Sequence, residues 1–410
     1  MKNPLYKTLF SVMFMAALLC ACKGNVQPDN SLQITEDDLI RLDGSFDDNF
    51  LDSWDYIILD DQPDAFLATA DATFYDDGLY FIFSGKYSNQ PQIKVFDSTG
   101  HYLNDIGHVG RARNEYIRTN NIAIDTYRNE VIVHDFYSNT IKRYNYKGEF
   151  LGQTTLALTE MTDGLYGTEL LKCLTDGRLL KKGFLHLLPS HEYYMVRPEG
   201  TNDAPFRKTE YHLYCDMDPI EYINIVGDMP TVELTDAYSD YTSDTTYLMR
   251  VLDNHIYRIA GNTEECLANL SFIPEIPDKV KYNFDSEADC DKYLGSSIPN
   301  YFHDMKDYLH IWFYYDNEYL FEKSTSKVYQ MKHDTLHVSV PNLRTENVYG
   351  NTIIGCVEHW DIQEKNSQMD SKDYDHRYSP QLEAFYRKIR NCENPVIVRI
   401  HYKSYTSAVK

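Results

Sequence analysis

The feature that most narrows the fold of this chain is an internal repeat. QIKVFDSTGHYLNDIG at 92–107 matches TIKRYNYKGEFLGQTT at 140–155; Gly100 and Gly148 stand 48 residues apart, as do Ile93 and Ile141. Each copy reads as a strand, a turn closed by glycine, and a second strand. Glycine suits the left-handed position of a short hairpin loop. Another strand precedes each copy, GLYFIFS at 78–84 and NEVIVHD at 129–135, and before those come LATADATFY (67–75) and NNIAID (120–125). Four short antiparallel strands in a unit of this length make one propeller blade.

Weaker copies follow. The third runs through ELLKCL, RLLKKGF, YYMVRPEG and a strand near 206–214. The fourth has TYLMRVLD (246–253), HIYRIAG (255–261) and CLANLSF (266–272). The fifth runs from YLHIWFYY (308–315) to TLHVSV (335–340), and the sixth starts near 346–357 and then breaks. In the break, SPQLEAFYRKIRN (379–391) carries Leu382, Phe385 and Ile389 at helical spacing behind Ser379 and Pro380. That pattern predicts a helix capped by Ser379. NPVIVRIHYK (394–403) returns as a strand, so the last blade is one strand short, while WDYIILD (54–60) is an orphan strand ahead of the first blade. Pairing the two removes an open sheet edge. The expected fold is all-β: a six-bladed β-propeller over residues 46–410, its N-terminal strand closing the last blade and one C-terminal helix inserted there. Residues 275–304 read as an insertion. The competing architectures are an open β-sandwich and two β domains.

Composition narrows the partners. Lys and Arg number 39 against 62 Asp and Glu, a formal charge of −23; nucleic-acid binding draws on clustered Lys and Arg, so no nucleic-acid partner is expected. The 35 Tyr suit half-buried strands and binding surfaces.

Residues 1–21 read as an export signal: Lys2 and Lys7 precede a short apolar run, Leu9 to Leu19, too short for a comfortable membrane span. The run ends in Leu19-Cys20-Ala21-Cys22, which resembles the bacterial lipobox. On that resemblance Cys22 is acylated and becomes the mature N-terminus; the alternative is an ordinary signal cut after Ala21. Residues 22–45 read as a lipidated start and flexible tether. The expected address is the bacterial outer membrane through the N-terminal lipid. The periplasmic side is favoured over the cell surface because KGNVQ after Cys22 has no acidic cluster. Cys173, Cys215, Cys266, Cys290, Cys356 and Cys392 remain in the mature chain without a CxxC spacing, and sequence does not choose between disulfides and buried free thiols.

Repeat, lipobox and ending together resemble lipoproteins of the six-bladed β-propeller group related to NHL and TolB-like propellers, over about residues 40–405. WDYIILDD is similar to that group's opening strand, FDSTGHYLNDIG to its strand, turn and "I-G" phrase, and NPVIVRIHYK to its closing strand. GHVGRARNEY (107–116) is similar to a loop of the form G-x-x-G-x-G-P-G-E-Y, with Ala112, Arg113 and Asn114 in place of Gly, Pro and Gly. The resemblance implies a fold and an address. It also implies an alternative function, since related propellers include lactonases and lyases that hold a metal in the central funnel.

No HExxH, GxSxG, Walker or EF-hand motif is present. The candidate ligand-binding residues are Arg111, Arg113, Glu115 and Tyr116 in the 107–116 loop, where two Arg suit bidentate anion binding, and His134 with Asp135, as a base or ligand pair. The structural readings are a solvated loop and a satisfied strand-end pair. HIWFYY (310–315) suits a sugar-stacking platform, but alternation puts Trp312 inside, and the run reads as a core strand. Ser98, Thr245 and Thr335 stand in Asp-Ser-Thr, Asp-Thr-Thr and Asp-Thr-Leu, which resemble an O-glycosylation sequon of exported proteins in some Gram-negative anaerobes; Asp-Ser and Asp-Thr are also common turn dipeptides. The expected function is a binding or scaffold protein for a glycan, peptide or envelope protein, with no cofactor. The alternative is a hydrolase or lyase with a divalent cation in the funnel. The anchoring claim predicts that Cys22→Ser shifts the protein from the membrane to the soluble fraction or leaves it unprocessed; membrane fractionation checks it, and an unchanged distribution refutes acylation at this residue.

Overall fold

A computed structural model describes residues 31–404 apart from 87, 136, 139, 156–165, 176, 178, 186–190, 199–205, 214–235, 250–253, 261–262, 275–298, 314–316 and 333–338. The described chain is mostly strand, arranged in six sheets. Ala72–Asp76, Leu79–Ser84, Gln92–Asp97 and Tyr102–Asp105 form the first, antiparallel and in chain order. Thr119–Asp125, Glu130–Asp135, Thr140–Asn145 and Phe150–Thr155 form the second in the same way. The repeat thus supplies the third and fourth strands of two successive sheets. Tyr166–Cys173, Leu179–Leu185, His191–Pro198 and Phe206–Leu213 make the third. An all-β, propeller-like fold is what the repeat predicts.

The second strand of the first sheet shows how the sheets adhere. Tyr80, Phe81, Ile82 and Phe83 are all 0–1% exposed, because alternate side chains leave opposite faces of a strand and both faces are covered. Tyr80 and Ile82 join Ile57, Ile354 and Ile397 of the sixth sheet. Phe81 and Phe83 join Ile122, Ile124, Val131 and Val133 of the second. A continuous apolar run is what a strand covered on both faces requires, and each such side chain contributes roughly 1.5–3 kcal/mol.

The later sheets depart from the expected strand count. Thr245–Met249, His255–Ala260 and Thr263–Leu270 form the fourth, completed by Leu32–Ile34 running parallel to the last of them. The fifth has six strands in the order Asp236–Ser239, Pro299–Asp304, Tyr308–Phe313, Asn317–Glu322, Val328–Lys332 and Leu39–Arg41, the two edge strands pairing in parallel. The tether reading of 22–45 is therefore corrected for its second half. Ile34 and Leu39, 3% and 8% exposed, are anchors in a polar stretch and seat it in the core shared by the fourth and fifth sheets. The insertion reading of 275–304 is corrected at its end, where Pro299–Asp304 is a strand and HIWFYY supplies the next one. TLHVSV lies mostly outside the described residues.

The sixth sheet consists of Arg344–Tyr349, Thr352–Val357, Val396–Tyr402 and, antiparallel at its edge, Leu51–Ile58. The helix Pro380–Lys388 begins where expected, with Leu382 N donating to Ser379 Oγ at 3.2 Å. A second helix, His359–Met369, precedes it. Only Ile362 and Met369 are buried apolar residues on it, too sparse a stripe to read from sequence.

Glu358 caps the start of that helix in extended conformation. It is 2% exposed; Ala70 N donates to Oε1 at 2.6 Å, and Oε2 has no hydrogen-bond partner among the described residues. Burial pushes its carboxyl up from 4.5 to about 7. The folded state therefore holds a proton that the unfolded chain releases near pH 4.5. The contribution is fully present below pH 4.5 and is lost as pH rises through 7, on the order of 3 kcal/mol. Urea unfolding of Glu358→Gln minus the parent, across pH 4.5–7.5, should show that difference growing with pH; a flat difference refutes it.

The repeat glycines make one contact twice. Gly100 has φ +88°, and a Cβ on it would strike the main-chain oxygen of Ile58 in the sixth sheet; Gly148 has φ +81°, and its Cβ would strike the main-chain oxygen of Asp105 in the first. Gly78 has φ +78° with open space around it. Gly100→Ala and Gly148→Ala should each cost about 3 kcal/mol, summing left-handed strain and backbone collision. Gly78→Ala should cost only about 1 kcal/mol. Denaturant midpoints of the three variants check this, and equal losses in all three remove the contact argument.

Candidate functional site

The fifth and sixth sheets enclose a cavity of about 450 Å³. Its floor grows from the register of the fifth sheet. Pro299–Asp304 and Tyr308–Phe313 pair with His303 directly opposite His310, so both imidazoles leave the same face. Glu318 comes from the following strand, and Glu346 from the facing strand of the sixth sheet. His303 Nδ1 and His310 Nδ1 are 3.4 Å apart, and His303 Nε2 bonds Glu346 Oε2. His310 Nε2 is 3.6 Å from Glu318 Oε1, beyond hydrogen-bond reach. Phe46 N donates to Glu318 Oε2 at 2.8 Å.

His303, His310 and Glu318 are 5%, 8% and 5% exposed. Such burial is costly without compensating bonds; His303 meets both His310 and Glu346, and Glu318 is held by Phe46 N. Burial pushes the His310 imidazole below 6.5, against the opposing pull of Glu318. The Phe46 ring stacks on His310 at 4.0 Å between centroids, and Tyr402 lies 4.6 Å from Phe46. Tyr402 OH donates to Asp47 at 3.0 Å. Trp312, Tyr378 and Tyr386 add further ring surface; Lys365 and Arg377 complete the charged lining.

Of these residues only His310 and Trp312 stood out in the sequence, in the HIWFYY run weighed as a stacking platform and read as a core strand. His310 was absorbed into a core strand and His303 into the insertion. The available signal was a polar residue inside each apolar run, His310 between Leu309 and Ile311, Glu318 before Tyr319 and Leu320. What joins them is cross-strand register, which no local spacing reveals.

The residues singled out from sequence lie elsewhere, in the first two sheets. Arg111 and Arg113 are exposed on the 107–116 loop. Glu115 turns back on the loop: it accepts from Ala112 N at 2.8 Å and meets His108 Nε2 at 2.8 Å. The Ala112 amide, then His108, hold its carboxyl below the usual range. A Cβ at Gly110 would occupy the place of that carboxylate. Tyr116 is 1% exposed and belongs to the core between the first and second sheets, which corrects its assignment to a binding loop.

His134 and Asp135 are 4% and 1% exposed. Asp135 accepts from Ile117 N at 3.2 Å, Arg118 N at 3.4 Å and Ser138 Oγ at 2.7 Å, so it ties the incoming loop to its strand, as the strand-end reading has it. Ser98 is exposed in the 97–100 turn, and Thr245 begins a strand, half-buried; Thr335 and Cys22 lie outside the described residues. Cys173 and Cys356 are buried free thiols and Cys392 a half-buried one; Cys266 is half-buried, and Cys215 and Cys290 lie outside the described residues. Among the described residues no group of three His, Cys, Asp or Glu is placed to hold a metal, and no helix is long and apolar enough to cross a membrane.

The fold is similar to the crystal structure of a Bacteroides fragilis protein assigned as exported, with 15% identity, TM-score 0.56, and coverage of 89% of this chain and 100% of that one. At that identity the likeness speaks to the fold alone. A member of the DUF4221 family from Bacteroides vulgatus aligns at 9% identity and TM-score 0.46, covering 86% and 97% of the two chains. Regucalcin from Agrobacterium tumefaciens, a calcium-binding protein, aligns at 7% and 0.38, covering 89% and 97%. No curated protein matches the sequence. The family model described as a domain of unknown function (DUF4934) matches residues 45–401, and the chain belongs to that family.

Proposed function

We propose that this protein is an exported, lipid-anchored six-bladed β-propeller of the bacterial envelope that binds a small polar ligand in the cavity between its fifth and sixth blades. Each of the six sheets counts as one blade in this reading. Pairing of Leu51–Ile58 with Val396–Tyr402 supports closure of the ring, as do core contacts of the first sheet with both the second and the sixth. The export signal and Cys22 supply the address, and the likeness to an exported protein agrees with it.

The observation that carries the binding reading is the cavity itself. A space of about 450 Å³ has the size of a small-molecule site, room for a mono- or disaccharide or a dipeptide. It combines aromatic walls with a few convergent polar groups, the usual means of fixing a ligand's orientation. Of the partners expected from sequence, a glycan or peptide fragment fits this volume.

Native mass spectrometry of the protein isolated from its host's envelope tests the reading. A small non-covalent mass should accompany the parent and be absent from Ile353→Trp, which fills the cavity from the sixth sheet. If the same adduct persists in Ile353→Trp with an unchanged melting temperature, the ligand lies elsewhere; if the parent carries no adduct and binds no saccharide or peptide offered to it, the cavity reading fails.

A further inference from the structure

We infer that the loop leading into the second sheet, residues 107–118, is a docking surface for a protein segment that carries acidic side chains beside aliphatic ones. None of its residues lines the cavity between the fifth and sixth sheets, so the inference stands apart from the binding reading above.

The loop is held from beneath. Gly110 N donates to Tyr116 O at 3.0 Å and Tyr116 N to His108 O at 3.1 Å, so the chain doubles back on itself. Two buried side chains of the third strand, Lys142 and Tyr144, then fasten its middle: Lys142 Nζ donates to Arg113 O and Tyr144 OH to Asn114 O, both at 3.0 Å. Glu115 accepts from Ala112 N, and Asp135 accepts from Ile117 N and Arg118 N. A main chain fixed this way has little freedom left to lose when a partner binds.

The side chains it presents are of two kinds. Val109 and Ile117 are each 38% exposed, and Tyr137 is 65% exposed. These three are neighbours. Val109 bridges to Tyr116, next to Ile117, and Asp135 Oδ2 binds both Ile117 N and the Oγ of Ser138, next to Tyr137. The second kind is charged, with cations outside and acids inside. Arg111 is exposed and Arg118 half-buried, whereas Asp135 is buried and Glu115 turns back to His108. On a chain of formal charge −23, such a spot attracts an anionic segment that the rest of the surface repels. Arg and Tyr are also the side chains that most often carry binding energy in protein interfaces. The aliphatic pair selects the class of partner. Val109 and Ile117 can cover a Leu or Ile of another protein, but they offer an anionic saccharide no ring to stack on.

Panning a phage library of random dodecapeptides against the purified protein tests this, with the selected sequences then measured as synthetic peptides by fluorescence anisotropy. The selected peptides should carry Asp or Glu next to Leu, Ile or Val, and their affinity should fall as salt is raised. Arg111→Glu and Ile117→Ser should each weaken binding at least about tenfold; Tyr137→Ala replaces the second variant if Ile117→Ser does not fold. Lys327→Glu makes the same charge change on the fifth sheet and should leave binding unchanged, as should the cavity-filling Ile353→Trp. Thermal midpoints near the parent's show that the variants are folded. The inference is overturned if no peptide is selected, if the selected peptides lack acids, or if folded Arg111→Glu binds them as the parent does. An equal loss in Lys327→Glu reduces the effect to net charge and also overturns it. So does a loss in Ile353→Trp, which would place the peptide in the cavity, or polygalacturonate binding as tightly as the peptides and failing in Arg111→Glu, which would make the partner a glycan.

Discussion

The rest of the structure depends on how closely one sheet's turn approaches the backbone of the sheet before it. Gly100 and Gly148 both close the turn between the third and fourth strands of their sheet. Each lies against a main-chain oxygen of the neighbouring sheet's outer strand, Ile58 for one and Asp105 for the other. Asp60 N donates to Gly100 O at 2.9 Å, and Asn104 Nδ2 donates to Tyr146 O at 3.4 Å, fastening the same two seams. Only glycine combines a left-handed φ with so close an approach. The 48-residue spacing of Gly100 and Gly148 is the footprint of this contact, made by the first sheet and again by the second.

Apolar side chains fill the space behind that contact, while polar groups tie down the strand ends. Lys172 is fully buried, with Nζ donating to Asp240 O at 3.1 Å, Thr245 O at 2.8 Å and Ser239 Oγ at 3.3 Å. It thereby links the third sheet to the fourth and to the edge strand of the fifth. Burial lowers its ammonium to about 8, offset by Asp304 and Asp240. Asp304 in turn accepts from Ser239 Oγ and Tyr247 N at 2.8 and 2.9 Å. Such networks direct the sheets to one arrangement more than they add net stability, because desolvation consumes most of the Coulomb gain.

The fold was legible where local pattern and tertiary role coincide. Gly100 and Gly148 sit in turns that need glycine for their own conformation as well as for the contact, so the repeat was visible. Ser379 followed by Pro380 announced a helix because capping is a local interaction. The orphan strand at 54–60 was found by edge arithmetic, and its partner at 394–403 by its apolar run. Legibility failed where the partner was distant. Ile34 and Leu39 make strands only because Thr263–Leu270 and Val328–Lys332 offer edges; three-residue strands carry no periodicity of their own. Asp135 stood out as a possible functional acid, yet its partners are main-chain amides of the incoming loop, which sequence does not number. The His303–His310 pair needed a register across two strands, one of them hidden in a stretch that reads as loop.

That last failure follows from where the cavity lies. The seam between the first and second sheets joins two regular repeats, and alternating Phe, Ile and Val from both faces close it. The seam between the fifth and sixth sheets joins the two least regular ones. Ser45–Asp47 enters it from the N-terminal strap, residues 339–343 cross it, and Lys365, Tyr378 and Tyr386 reach it from the C-terminal helices and the segment between them. No single repeat supplies all of its walls, so no alternating pattern fills it. Here, where the repeat breaks, the space left over is lined by five buried or half-buried acids and imidazoles, Asp47, Glu318, Glu346, His303 and His310. The candidate site thus lies at a seam that the repeat does not specify.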